Sequence, residues 1–229
     1  LLSIVLKVDA QCNTNTTICD NNSLAGPFNF QSASADPSTC LDFTNGQFAP
    51  NYAYIVLYIT QGGNLNLLVN ANTGFGFLDV AIFDITGQAN PCASLGPATE
   101  LSCNYASASS GCAQFGTTFG CPASIAAPVV QTGDVVMILV EDWSDSQTNF
   151  TLQLDNGPGS AQTGTPDATI TPVGPFCDDA GPIQLNAVNN GGTWTGPGVT
   201  TNGVFDPALA GPGNHTINYS IGSAPCNDQ

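Results

Sequence analysis

Apolar and polar residues follow one another along this chain in short stretches, and no window of ten residues carries a helical period. The stretch "YAYIVLYI" (52–59) is apolar throughout and predicts a strand buried on both faces. "NLNLLVN" (64–70) alternates, which turns Leu65, Leu67 and Val69 inward and Asn64, Asn66 and Asn70 outward. "FLDVAIFDI" (77–85) predicts a long strand with Asp79 and Asp84 near its ends or on an exposed edge. "DVVMILVE" (134–141) predicts another central strand, and "NFTLQLD" (149–155) alternates again. Between these runs stand "QGG", "ANTG", "TGQANP" and "QTGD", all turn-forming. Strands at this spacing predict a two-sheet β-sandwich of roughly eight strands over residues 11–156. Residues 86–122 are expected as a long loop region whose four cysteines keep it ordered.

The pattern then changes. Residues 157–166, within "NGPGSAQTGTP", read as a linker by composition. Residues 167–229 carry five shorter candidate strands: "ATITPV", "PIQLNAV", "GTWTG", "GVF" and "HTINYSI". In the last of these Ile217, Tyr219 and Ile221 face one way, and Thr216, Asn218 and Ser220 the other. An immunoglobulin-like sandwich uses about seven strands in about 100 residues. The second unit is therefore expected to be such a sandwich lacking its last strand, and the fold class all-β.

The opening "LLSIVLKVDA" (1–10) supports two readings, and both stay open. Val8 and Ala10 have the small side chains that precede a signal-peptide cut, so the stretch can be the remnant of one. It also alternates as a strand, with Leu2, Ile4, Leu6 and Val8 on one face and Ser3, Lys7 and Asp9 on the other. A spare strand at one end and a missing strand at the other suggest donor-strand complementation between copies. Leu2, Ile4, Leu6 and Val8 would then form a subunit interface. Such a head-to-tail contact is heterologous and builds an open filament.

Charge narrows the partners. The chain has 17 acids, one Lys or Arg (Lys7) and one His (His215). Sixteen carboxylates lie beyond residue 10 with no Lys or Arg among them. Nucleic acid is excluded as a partner, because binding it needs cations to displace phosphate counterions. Anionic membrane surfaces are equally poor partners, and no apolar run is long enough for membrane insertion. The nine cysteines show no C-x-x-C spacing, and a single histidine cannot complete a metal cluster. Disulfides in an oxidising, extracellular or cell-surface setting are the expectation. The expected pairs are Cys92–Cys103, Cys112–Cys121, Cys177–Cys226 and Cys19–Cys40, with Cys12 left over. Cys177–Cys226 would close a loop of about 50 residues, worth roughly 4 kcal/mol in the chain-entropy account.

Catalytic chemistry finds little support. A Ser-His-Asp arrangement would need His215, which lies in phase with Ile217 and Tyr219 and reads as a partly covered strand residue. Asp84-Ile85-Thr86-Gly87 is not an aspartic-protease motif, and nothing brings Glu100 and Glu141 together as a glycosidase pair. The expectation is no enzyme and no required cofactor. Cation binding is the more credible chemistry: Glu141, Asp142 and Asp145 in "EDWSDS", and Asp178 and Asp179 in "CDDAG", offer hard oxygens suited to Ca²⁺. The competing reading of both clusters is solvated turn acids.

Two stretches also carry a resemblance. Cys177, Gly191-Gly192-Thr193-Trp194, Phe205-Asp206-Pro207, Ala210-Gly211, Thr216-Ile217-Asn218-Tyr219 and Cys226 follow one another as in a known repeat. Residues 167–226 thus resemble the repeat of large surface adhesins of gliding Bacteroidota, departing from it after the second Cys. "AYIVLYITQGGNLNLLVN", "FLDVAIFDI" and "GDVVMILVEDWSDSQTNFTLQL" make the first unit similar to the pre-peptidase C-terminal-like (jelly-roll) sandwiches of secreted proteins. The resemblance implies type IX secretion cargo, with surfaces, glycans or further copies of the chain itself as partners.

Overall fold

The computed structural model describes residues 16–19, 26–32, 38, 40–41, 51–72, 76, 78–88, 90–105, 110–142, 149–177, 179–189, 192–223 and 226–229. The N-terminal residues 1–15, including Leu2, Ile4, Leu6 and Val8, lie outside this set. The first unit opens with β1 (Thr16–Ile18), β2 (Phe28–Asn29), β3 (Gln31–Ser32) and β4 (Asn51–Gln61). β5 (Gly63–Asn64), β6 (Leu67–Ala71), β7 (Leu78–Asp84), α1 (Pro91–Ser94) and β8 (Glu100–Asn104) follow. It closes with β9 (Cys112–Phe115), β10 (Ser124–Ile125), β11 (Val129–Val130), β12 (Val135–Asp142), β13 (Asn149–Leu154) and β14 (Gln162–Thr163). The second unit holds β15 (Ile183–Gln184), β16 (Thr193–Thr195), β17 (Val204–Phe205), α2 (Pro207–Ala210), β18 (Asn218–Ser223) and β19 (Cys226–Asp228).

The all-β expectation is met, with a two-sheet sandwich at the centre. One sheet runs β1-β4-β12-β7-β8, with β3 and β14 also pairing β4. The other runs β10-β9-β6-β13-β2. Only the β1–β4 and β9–β10 pairs are parallel. Between the sheets, Ile55, Leu57, Val80, Ile82, Ile138 and Val140 meet Leu67, Val69, Phe115, Phe150 and Leu152 in one buried core. The asparagines of 64–70 stay outside that core, as the alternation requires.

The uninterrupted apolar runs have their own explanation. Antiparallel sheets commonly leave one face wet, and their strands alternate accordingly. Here the far face of β4, β7 and β12 is covered as well, and Tyr54, Val56, Phe83, Met137 and Leu139 form a second buried cluster with Leu41, Ile85 and Cys226. Loop 38–41, residues 85–95 and the C-terminal strand supply that cover. Ser38 pins the loop by accepting from the amides of Cys40 and Leu41, and its Oγ lies 3.3 Å from Cys103 Sγ.

Three expectations are corrected. Residues 86–122 are not a loop region: β8 and β9 lie within them and extend the two sheets. Residues 157–166 are no free linker, since β14 pairs with the end of β4 and Ser160, Ala161 and Thr163 are buried. The second unit does possess a strand after its second Cys, as β19 pairs antiparallel with β18. Its two sheets, β15-β17 and β16-β18-β19, enclose a smaller core of Ala168, Leu185, Trp194, Tyr219 and Ile221.

The glycines of "GGTW" and "NGVF" serve that core. Tyr219 OH donates to Asn189 O at 2.8 Å and accepts the Gly192 amide at 2.7 Å, while its ring packs on Trp194 at 4.5 Å between centroids. A Cβ on Gly192 would run into the Tyr219 ring and Ser220 O. Gly203 sits at φ +84° with the Trp194 Nε1 only 2.7 Å from where its Cβ would be. Burial raises the Tyr219 phenol above its ordinary pKa, and the Gly192 amide partly offsets this.

Candidate functional site

Three places concentrate chemistry. The first is the end of β7 and β12. Glu141 lies opposite Asp79 on one neighbour and Tyr52 on the other. Asp142, the next residue along, lies opposite Leu78 and Asn51. Successive strand residues point to opposite faces, so Glu141 and Asp142 cannot converge on one ion through their side chains. Asp79, Glu141 and Asp142 are all buried, Asp79 to 1% exposure. That corrects the expected placement of Asp79 at an exposed edge and of Glu141 and Asp142 as solvated turn acids. Covering both faces of the sheet is the physical cause. Asp145 and Asp178 lie outside the described residues, and Asp179 is an exposed turn residue. Among the described residues no group of three His, Cys, Asp or Glu side chains is placed to hold a metal ion.

The same register separates Glu100 from Glu141. Glu100 pairs with Phe83 and Glu141 with Asp79, four residues apart on β7. That is about 13 Å along the strand, beyond the ~5–9.5 Å spacing of glycosidase carboxyls. His215 has its Nε2 2.8 Å from Gly211 O and is partly covered, though it precedes β18 rather than belonging to a strand.

The second place is the junction of the two units. Three disulfides join described cysteines: Cys19–Cys226, Cys40–Cys103 and Cys112–Cys121. Cys112–Cys121 is as expected. The Cys92–Cys103, Cys19–Cys40 and Cys177–Cys226 pairings are corrected: Cys103 takes Cys40, and Cys226 takes Cys19 across 207 residues of sequence. Cys92 is also disulfide-bonded, to a cysteine outside the described residues. Cys177 is free and exposed. The reason is the docking of β19 on the outer face of the large sheet, which buries Cys226 completely beside Cys19. A cavity of about 270 Å³ lies at this junction, bounded by Tyr58, Thr86, Gln88, Asp134, Ile221 and Gly222. Its polar groups already serve the sandwich: Thr86 Oγ1 accepts the Val135 amide at 2.9 Å and Asp134 accepts that of Gln131 at 2.7 Å.

The third place is a groove of about 820 Å³ in the second unit. Its floor is Ile170, Leu185, Phe205 and Ile217, between the two small sheets. One wall is the stretch 171–177, every residue of it exposed and none in a strand. Val173 is 47% and Phe176 38% exposed, with the Phe176 ring 6.1 Å from that of Phe205. The other wall is residues 214–217, which precede β18 and enter no strand pairing among the described residues. β19 covers β18 only over Ile221–Ser223, so the groove continues the line of β19. The short closing unit hinted at an open edge in the sequence. That Val173 and Phe176 form its wall was not legible there, because "TPVGPFC" has no period.

Among the described residues no helix is long and apolar enough to cross a membrane. The three disulfides mark an oxidising environment. Comparison with family models, curated proteins and solved structures returned no match.

Proposed function

We propose that this chain is an extracellular structural and adhesive protein of a cell surface, acting as building material and contact surface rather than as a catalyst. The observation that carries this reading is the Cys19–Cys226 bridge, which ties the start of the sandwich to the end of the second unit as one covalent body. Cross-linking of this kind suits a protein that works in an oxidising medium without chaperones or repair. Sixteen carboxylates beyond residue 10 keep such a body soluble and repel nucleic acid and anionic lipid. The likeness of residues 167–226 to surface-adhesin repeats supports the same reading, as does the likeness of the first unit to secreted sandwiches. Antibody raised against the chain is expected to label intact producing cells or their medium. Labelling that requires cell lysis overturns the proposal. A second reading, a subunit that assembles head to tail into filaments, is favoured by the open groove of the second unit.

A further inference from the structure

We infer that the groove of the second unit is an acceptor for one extended strand, and that its occupant is residues Leu1–Ala10 of a second copy of this chain. This rests on the reading of the chain as extracellular building material and names how one piece joins the next. The groove offers what an inserted strand needs. Residues 214–217 present an unpaired backbone edge in line with β19, and Ile170, Leu185, Phe205 and Ile217 present an apolar floor. An occupant must therefore be extended, with apolar side chains at alternate positions. Leu2, Ile4, Leu6 and Val8 supply that pattern.

Orientation decides between a chain's own strand and a neighbour's. Antiparallel pairing is the more stable, and it continues the antiparallel β18–β19 ladder. A strand so placed runs away from the first unit, so Ala10 ends at the far tip of the second. The chain re-enters its own sandwich at Thr16, beside Ile55, and Thr17 lines the junction cavity together with Gly222. Residues 11–15 span at most ~18 Å. The eight residues from Gly222 back to Asn214 cover about 27 Å if extended. The tip is out of reach for the same copy, and the strand belongs to the next one along.

Charge agrees with this choice. The residues lining the groove include no carboxylate, and Lys7 and Asp9 offset each other in the inserted segment. Elsewhere two copies repel through carboxylates with no Lys or Arg to answer them. Screening by salt therefore strengthens this association.

The test uses the full chain, followed by light scattering across a dilution series at low and moderate salt. The expected result is a concentration-dependent ladder of oligomers that lengthens with salt. Leu6→Asp in the donor and Val173→Asp on the groove wall are each expected to weaken association at least tenfold. An equimolar mixture of the two is expected to stop at dimers, since each dimer has one disabled end left over. Val173 is half-exposed, so its variant is expected to keep the wild-type melting temperature and Trp fluorescence. A chain that stays monomeric at every concentration overturns the inference, as do variants that assemble like the parent. Monomers found on intact cells would remove strand insertion and leave the surface role standing. A ladder from protein found only inside cells would do the reverse.

Discussion

Single residues show how little this chain relies on ion pairs. Asp155 answers the shortage of cations by collecting neutral donors: the Gly157 amide at 3.0 Å, Ser160 Oγ at 2.9 Å, and Thr118 Oγ1 and Asn66 Nδ2 at longer range. These hydrogen bonds, the Gly157 amide first, hold its carboxyl below the ordinary value of 3.8. A folded-state pKa below the unfolded one contributes stability above the unfolded value, and that contribution fades as pH falls through the folded one. Asp155→Asn is therefore expected to lower the melting temperature slightly at pH 7, with the difference from wild type vanishing in thermal melts below about pH 3.8. The Asx-type turn at "DNG" was legible in the sequence. Its partners Thr118 and Asn66 were not, because they arrive from loops far away in the chain.

At the scale of elements, the long strands were the most readable part. β4, β6, β12 and β13 fall where the apolar runs and alternations place them, since a strand's period is a local property. β8 and β9 escaped because "ELSCN" and "CAQF" are too short and too mixed to carry a period. Their order comes from neighbours: Asn104 Nδ2 donates to Gln114 O at 2.8 Å, and the Cys121 amide donates to Gln114 Oε1 at 2.8 Å. β12 is the element on which the first unit depends, lying between β4 and β7 with both faces buried. Ile138 is fully buried at its middle. Ile138→Ala is expected to cost about 2–5 kcal/mol of unfolding free energy, measured by denaturant titration. A loss under ~1 kcal/mol would contradict the double-sided burial described here.

For the whole molecule, the decisive feature is the joining of the two units. The second unit's closing hairpin packs into the outer cluster of the first, and Cys19–Cys226 locks it there. Replacing both cysteines by serine is expected to lower stability by roughly 2–5 kcal/mol. It should also split one unfolding transition into two, read by calorimetry and by Trp194 fluorescence. Mass mapping of a thiol-labelled native chain is expected to find Cys177 modified and Cys226 protected; the opposite result would restore the pairing that spacing alone suggested.

The division between what the chain's order dictated and what its packing decided follows a physical line. Periodicity, turn residues and charge content act over a few residues, so the all-β class, the long strands and the exclusion of nucleic acid could be read directly. The partners of each cysteine, the burial of Asp79, Glu141 and Asp142, and the walls of the groove depend on which distant segments come to lie side by side. Register and docking settle those matters through the summed burial of whole faces, and no local pattern encodes that sum.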